Sequence, residues 1–333
     1  MNKLIDIIIP CYNNHDTLVQ TLASILNQTL IDKCKITIVN DNGNDYNEIV
    51  NYYSKYMDIQ EITRDSNGGP GVSRQFGIDN TDCPFLMFVD ADDSFSIPLA
   101  IEMFYNKIAY NLKINLVIGR FFKEQANRSI VEPPLNIIFL FSKIYRRSFI
   151  EKFDIRFSDI RANEDVAFNT IYWLCLENEE IDYIDMPLYF WTFNKKSITR
   201  KDDYDFYYND SLLGYVDNSI YIVEKAKELK LKKDKIDIKT IDIITHLYFI
   251  YNDLLNSPQA EKYRDKNTYA VIKYYNEVFK DCKNNMDEDL LKEQIIYHLD
   301  VKLDKFKKII PHYTFVQFLK ALEGAQYDST KTY

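Results

Sequence analysis

Nowhere in this chain do two cysteines form a C-x-x-C pair; the five present (Cys11, Cys34, Cys83, Cys175, Cys282) are scattered and odd in number. This argues against a structural zinc site and a disulfide framework, and points to a reducing compartment. Histidine is scarce as well. His15, His246, His298 and His312 show no ligand spacing and read as structural or surface residues. No apolar run approaches the roughly 20 residues a membrane span needs. The apolar stretch Leu4–Pro10 is too short for a signal peptide and is broken by Asp6. The chain is therefore expected in the cytoplasm, with contact at the inner face of a membrane left open.

A basic excess is also missing: 41 Lys+Arg stand against 50 Asp+Glu, a net charge of −9. Residues 205–333 hold 20 basic and 21 acidic side chains, while residues 1–204 hold 21 and 29. An acidic front half argues against nucleic acid, whose phosphates need a basic face. It suits a site that gathers carboxylates around a divalent cation. What remains is ordinary for a globular chain, with 46% hydrophobic and 27% charged residues and a length that implies one large domain plus an appendage.

The β-branched run Leu4–Pro10 predicts a buried parallel strand. Leu18, Val19, Leu22, Ile25 and Leu26 recur at helical spacing and predict an amphipathic helix over residues 16–27. Further strands are expected at Lys35–Val39, Ile59–Thr63, Phe85–Val89 and Asn115–Gly119, with helices over residues 71–79 and Ile97–Asn111. Such alternation predicts an α/β fold with a mostly parallel sheet and helices on both faces. Ligands then sit beyond the carboxyl ends of the strands. Tyr12-Asn13-Asn14, Asp41-Asn42-Gly43-Asn44-Asp45 and Asp90–Asp93 fall at those ends. After residue 204 the pattern changes to long helices, roughly 209–230, 236–256, 267–281, 287–300 and 313–323, so a helical module over 205–333 is expected. Internal repeats and low-complexity tracts are absent.

Phe85-Leu86-Met87-Phe88-Val89-Asp90-Ala91-Asp92-Asp93 carries the strongest chemical signal. An apolar strand delivers two carboxylates, separated by one small residue, to its end. Mg²⁺ and Mn²⁺ take few protein ligands and complete their shells with phosphate and water, so one carboxylate suffices while its neighbour can accept from a ribose. Gly68-Gly69-Pro70-Gly71 lacks the Lys-Ser/Thr of a P-loop and reads as a tight turn into a helix. Lys225, Lys227, Lys230, Lys232, Lys233 and Lys235 alternate with acids as a solvated helix face would. Contact with anionic lipid or a phosphate-rich acceptor is the alternative reading of that face.

The chain resembles the family 2 glycosyltransferases of GT-A fold. The resemblance rests on Ile7-Ile8-Ile9-Pro10-Cys11-Tyr12-Asn13, Ile38–Asp45, Asn67-Gly68-Gly69-Pro70-Gly71-Val72-Ser73-Arg74-Gln75 and Asp90–Asp93. It continues through Lys143-Ile144-Tyr145-Arg146-Arg147, Asn163-Glu164-Asp165 and Ser197-Ile198-Thr199-Arg200, covering about residues 3–200 in order. It implies an inverting transferase that uses a nucleotide-sugar, most naturally a UDP-sugar, with Mn²⁺ or Mg²⁺. By resemblance, Pro10, Tyr12, Asn13, Asn67, Arg74, Asp90 and Ala91 contact the nucleotide, and Asp41 accepts from the base imide. Asp92 binds the metal, Asp165 is the general base with Glu164 on the acceptor side, and Ser197, Thr199 and Arg200 close over the diphosphate. Two positions depart from the family pattern: Gln75 replaces a frequent Asn, and Asn40 a frequent acid. The acceptor is expected to be a cell-envelope glycan, a polyol phosphate such as teichoic acid, or a lipid-linked glycan. The helical module is left to acceptor binding, a homo-oligomer contact or another partner. A degenerate, scaffolding transferase and a sugar nucleotidyltransferase are the rival readings. The latter would normally place a basic Gly-rich loop where Tyr12-Asn13-Asn14 stands.

Overall fold

Ile5, Ile7, Ile8 and Ile9 are fully buried, and their β-branched run forms the central strand β1 (Ile5–Cys11). Burying each such side chain contributes about 1.5–3 kcal/mol. The computed structural model describes residues 2–135, 137–195, 204–309 and 311–330. It divides into two units, Met1–Arg200 and Lys201–Tyr333.

In the first unit α1 (His15–Leu26), β2 (Cys34–Asn40), α2 (Asn47–Tyr53), β3 (Ile59–Thr63), α3 (Pro70–Asp79) and β4 (Phe85–Phe88) follow β1. Next come β5 (Ser94–Phe95), α4 (Ala100–Ala109), β6 (Leu116–Glu124), β7 (Ile130–Val131), β8 (Lys143–Arg146), α5 (Arg147–Lys152), α6 (Glu164–Cys175) and β9 (Ile181–Trp191). The strands form one sheet in the order β3-β2-β1-β4-β8-β6-β9-β5, with β7 on β6. The half from β3 to β4 is parallel, as the helical crossovers require. β8 runs antiparallel to both β4 and β6, and β5 antiparallel to β9, so the sheet is mixed rather than wholly parallel. β8 is four residues long and carries no periodic signal of its own.

Gly77 lets α3 lie close on the sheet. A Cβ there would stand 2.6 Å from Ile8 Cγ2 and 3.1 Å from Val39 Cγ2. At the start of β1, buried Asp6 pairs with Arg147 at 2.9 Å, and the same guanidinium donates to the carbonyls of Cys83 and Ile78. Arg147 of the Lys143–Arg147 motif is thus a structural anchor.

The second unit is helical: α7 (Tyr204–Phe206), α8 (Leu212–Glu228), α9 (Lys233–Asn256), α10 (Arg264–Tyr274), α11 (Lys280–Asn285), α12 (Glu288–Phe306) and α13 (Phe315–Gly324). Ile241, Ile244, Leu247, Phe249, Ile250 and Leu254 of α9 are all buried, so they form core. Asp242 faces Lys239 at 2.9 Å, Lys302 of α12, and His298 Nδ1 at 3.5 Å. Burial would raise its pKa, but His298, Lys239 and Lys302 hold it well below the usual carboxylate range. Among the described residues no helix is long and apolar enough to cross a membrane.

Candidate active site

The loop after β2 is built by side chains that satisfy its own backbone. Asn40 donates to Glu61 Oε1 at 2.8 Å and accepts from the Gly43 N–H at 2.8 Å. Glu61 also accepts from the Tyr46 N–H at 3.0 Å. A neutral amide at position 40 therefore does what an acid could not: it donates to Glu61. Asn13, at φ 57°, accepts from the Asn44 N–H at 2.9 Å. That left-handed backbone is one asparagine tolerates. Gly43 packs against this corner, where a Cβ would meet Asn13 Oδ1 at 2.9 Å. Tyr12 is 52% exposed beside it, its ring free to meet a planar ligand.

Asp41 is buried and fully engaged. Its carboxylate accepts from Arg64 Nη1 at 2.5 Å, from the Gly68 N–H at 3.0 Å and from the Gly69 N–H at 2.7 Å. Asn67 donates to its carbonyl at 3.2 Å. Asp41 thus holds the turn into α3, in which Gly69 takes φ 86°. Gly68-Gly69-Pro70-Gly71 is accordingly a turn around a carboxylate.

At the end of β4 the acids divide by environment. Asp93 is buried; it accepts from the Tyr189 hydroxyl and from the Thr192 N–H, each at 2.8 Å. Burial, then Asp90 and Asp92, pushes its pKa well above the ordinary value. Asp92 is half-buried and accepts from Asn194 at 2.8 Å. Asp90 retains 35% side-chain exposure and accepts from Arg74 Nη2 at 2.7 Å. The small Ala91 between them is buried.

Arg74, expected among the nucleotide ligands, is buried and spans two carboxylates. Nη2 meets Asp90 and Nη1 meets Glu164 at 2.9 Å. Burial would lower its pKa, but Asp90 and Glu164 raise it above the ordinary value. Glu164 and Asp165 open α6, preceded by Asn163 in the left-handed region at φ 62°. Glu164 is pushed up to about 7 by burial and then by Asp165, against the pull of Arg74. Asp165 is also raised by burial, although Arg74 and the Val166 N–H, at 2.8 Å from Oδ1, pull it down. Lys143, fully buried in β8, is lowered to about 7 by burial, against the field of Asp165.

Ser197, Thr199 and Arg200 lie outside the described residues. Asp90 and Asp92 offer hard oxygen donors on a partly open strand end, with Asp93 buried beneath them. That donor set fits Mn²⁺ or Mg²⁺ completed by phosphate and water. Asp6, Asp82 and Cys83 also cluster, at the opposite end of β1. There the Asp6 carboxylate is occupied by Arg147 and the Cys83 N–H, so the cluster reads as structural. A cavity of about 430 Å³ lined by Arg120, Pro134, Leu135, Tyr183, Ile184 and Asp185 contains none of the expected site residues. Sequence reasoning did not single out Glu61, Arg64, Tyr189 and Asn194. Each acts by hydrogen bonds across distant segments, for which no local pattern exists.

An α/β domain that collects carboxylates beyond the carboxyl ends of its strands has the layout of an enzyme that binds its ligand there. Residues 6–165 match the family described as Glycosyl transferase family 2. The chain is 25% identical to the poly(ribitol-phosphate) beta-N-acetylglucosaminyltransferase TarP of Staphylococcus aureus, over 62% of each chain. It is 29% identical to a poly(ribitol-phosphate) beta-glucosyltransferase of Bacillus spizizenii, over 61% of this chain and 32% of that one. The chain thus spans less than two thirds of the length of these relatives. The structure of S. aureus TarS residues 1–349 in complex with UDP-GlcNAc superposes with a TM-score of 0.67, covering 92% of each chain at 15% identity. That likeness shows a GT-A fold with a helical region after it.

Proposed function

We propose that this chain is an inverting glycosyltransferase that moves a sugar from a UDP-sugar to a polyol-phosphate or related cell-envelope glycan at the cytoplasmic face of the membrane. The observation that carries the reading is the Arg74 bridge. Through it the strand-end acids Asp90-Ala91-Asp92 and the helix-start pair Glu164-Asp165 share one guanidinium. Donor-side and acceptor-side carboxylates are thereby neighbours, as transfer demands. Similarity to poly(ribitol-phosphate) transferases and to a UDP-GlcNAc-bound fold supports the donor and acceptor classes.

In this reading Tyr12 stacks on the base, with Pro10, Asn13 and Asn67 around it and Asp41 securing the loops that line it. Asp90 and Ala91 face the ribose, and Asp92 is the residue that would hold Mn²⁺ or Mg²⁺. Such a cation, when bound, supplies positive charge to the departing diphosphate. Ser197, Thr199 and Arg200 are assigned to the diphosphate on the sequence resemblance. Asp165 takes the proton of the acceptor hydroxyl while that oxygen bonds to the anomeric carbon. The bond from that carbon to the UDP oxygen breaks on the opposite face. General-base assistance of this kind contributes typically 10²–10⁴-fold. Residues 205–333 are assigned to acceptor recognition or partner contact.

The test is UDP release from a panel of UDP-sugars with Mn²⁺, wild type against Asp92→Ala. Release from one donor, lost in the variant, supports the reading; absence of both UDP binding and release in the wild type overturns it.

A further inference from the structure

An arginine that only steadied a nucleotide would keep its terminal nitrogens free for that ligand. Arg74 does not. It lies within α3, one turn beyond Gly71, and its side chain is 8% exposed. Both terminal nitrogens are spent on carboxylates, one from β4's end and one from α6's first residue. Its Nε is buried without a hydrogen-bond partner among the described residues, so the guanidinium is held by those two contacts.

Gly71 supplies a second, independent constraint on the same corner. A Cβ there would lie 2.3 Å from Glu164 Cγ and 2.9 Å from Glu164 Cβ. The first turn of α3 is therefore moulded around the Glu164 side chain, and Arg74 clasps its carboxylate from the next turn. Glu164 is buried between these contacts, and Asp165 follows it directly in the chain.

We propose that Arg74 is a positioning residue, not a nucleotide ligand: it locks the Glu164–Asp165 corner to Asp90, so that the proton-accepting carboxylate is set against the donor's anomeric carbon. This rests on the function proposed above. A planar fork with two fixed donors suits the task, and a lysine, with a single ammonium, cannot hold both carboxylates in one plane.

The experiment compares Arg74→Met and Arg74→Lys with wild type, reading UDP affinity with Mn²⁺ by calorimetry and steady-state transfer across pH. Arg74→Met is expected to leave UDP affinity within about threefold and to lower kcat by about 100-fold, the range in which misplacing a catalytic group acts. Arg74→Lys should recover part of that kcat. Removing the cation also raises the pKa of Glu164 and Asp165, so the acid limb of kcat should move to higher pH in Arg74→Met. Were Arg74→Met not to fold, Glu164→Met removes one prong's acceptor and should lower kcat with UDP affinity unchanged.

A tenfold loss of UDP affinity with saturated kcat retained would overturn the proposal in favour of a nucleotide ligand. Lowered thermal stability with unaltered kcat and pH profile would overturn it in favour of a merely structural role. A wild-type protein that neither binds UDP nor turns over any donor would overturn the functional reading itself, a result distinct from either.

Discussion

The Tyr189 hydroxyl donates to Asp93 Oδ2 at 2.8 Å and accepts from the Asp90 N–H at 3.2 Å, so one phenol on β9 supports both ends of the Asp90–Asp93 segment. Tyr189→Phe keeps the ring, which stacks on Phe141 at 4.8 Å, and removes only the oxygen. A buried group left unsatisfied costs about 1–3 kcal/mol. Urea unfolding should show a loss in that range, with Mn²⁺-dependent UDP affinity falling several-fold. Unchanged stability and affinity would show that the segment holds itself.

Asp92 and Asp165 should separate binding from chemistry. Asp92→Asn is expected to weaken metal-dependent UDP binding. Asp165→Asn should spare it and lower transfer by at least about 100-fold, the lower end of general-base contributions. Near-full transfer by Asp165→Asn would remove the base assignment.

Acidity follows from the same corner. Burial and Asp165 push Glu164 up to about 7, and burial raises Asp165 as well. A base must be ionised to act, so the acid limb of transfer should lie above the pH at which an ordinary aspartate titrates, with a plateau at higher pH. Glu164→Gln removes a neighbouring negative charge, which lowers the Asp165 pKa and moves the acid limb to lower pH. A pH–rate profile flat from pH 5 to 8 would contradict this (ordinary carboxylates would titrate below that range).

Gly71→Ala should act through Glu164. The added methyl must displace that side chain, and overpacking of this kind costs typically 1–3 kcal/mol. Transfer should drop more steeply than thermal stability; the reverse order would mean that the corner relaxes around the methyl.

In the helical unit, Asp242→Ala leaves Lys302 buried without its counter-charge and takes away the carboxylate beside His298 Nδ1. Breaking a buried pair by removing one partner costs about 3 kcal/mol. The depressed Asp242 pKa stabilises the fold at neutral pH, and that stabilisation is lost as pH falls through its lowered value. The variant should therefore lose stability at pH 7 and converge with wild type in strong acid, as followed by circular dichroism.

Much of this was legible in the chain itself. Ile59–Thr63 is a strand over the expected residues, and β1, α1, β2 and the long helices differ from expectation by a few residues at their ends. Periodicity and β-branched runs carried those assignments, because burial of one face imposes them locally. β8, β9 and α2 were not marked as elements. Their partners are remote, and the antiparallel placement of β8 between β4 and β6 depends on the path of the segment before it. The acids after β4 were visible as a motif, but their unlike surroundings were not.

By itself the sequence determined which residues could do chemistry: the strand-end acids, the Glu164-Asp165 pair and the glycine turn are types and spacings written into the chain. Only the tertiary structure decided what each of them does. It turned Asp41 inward onto Gly68, Gly69 and Arg64, gave Asp93 to Tyr189, and set Arg74 between Asp90 and Glu164. The physical reason is range. Secondary structure follows from neighbours a few residues apart, whereas the charge and hydrogen bonding of a buried carboxylate are set by whichever groups the fold packs against it, here 90 residues away in sequence for Arg74 and Glu164.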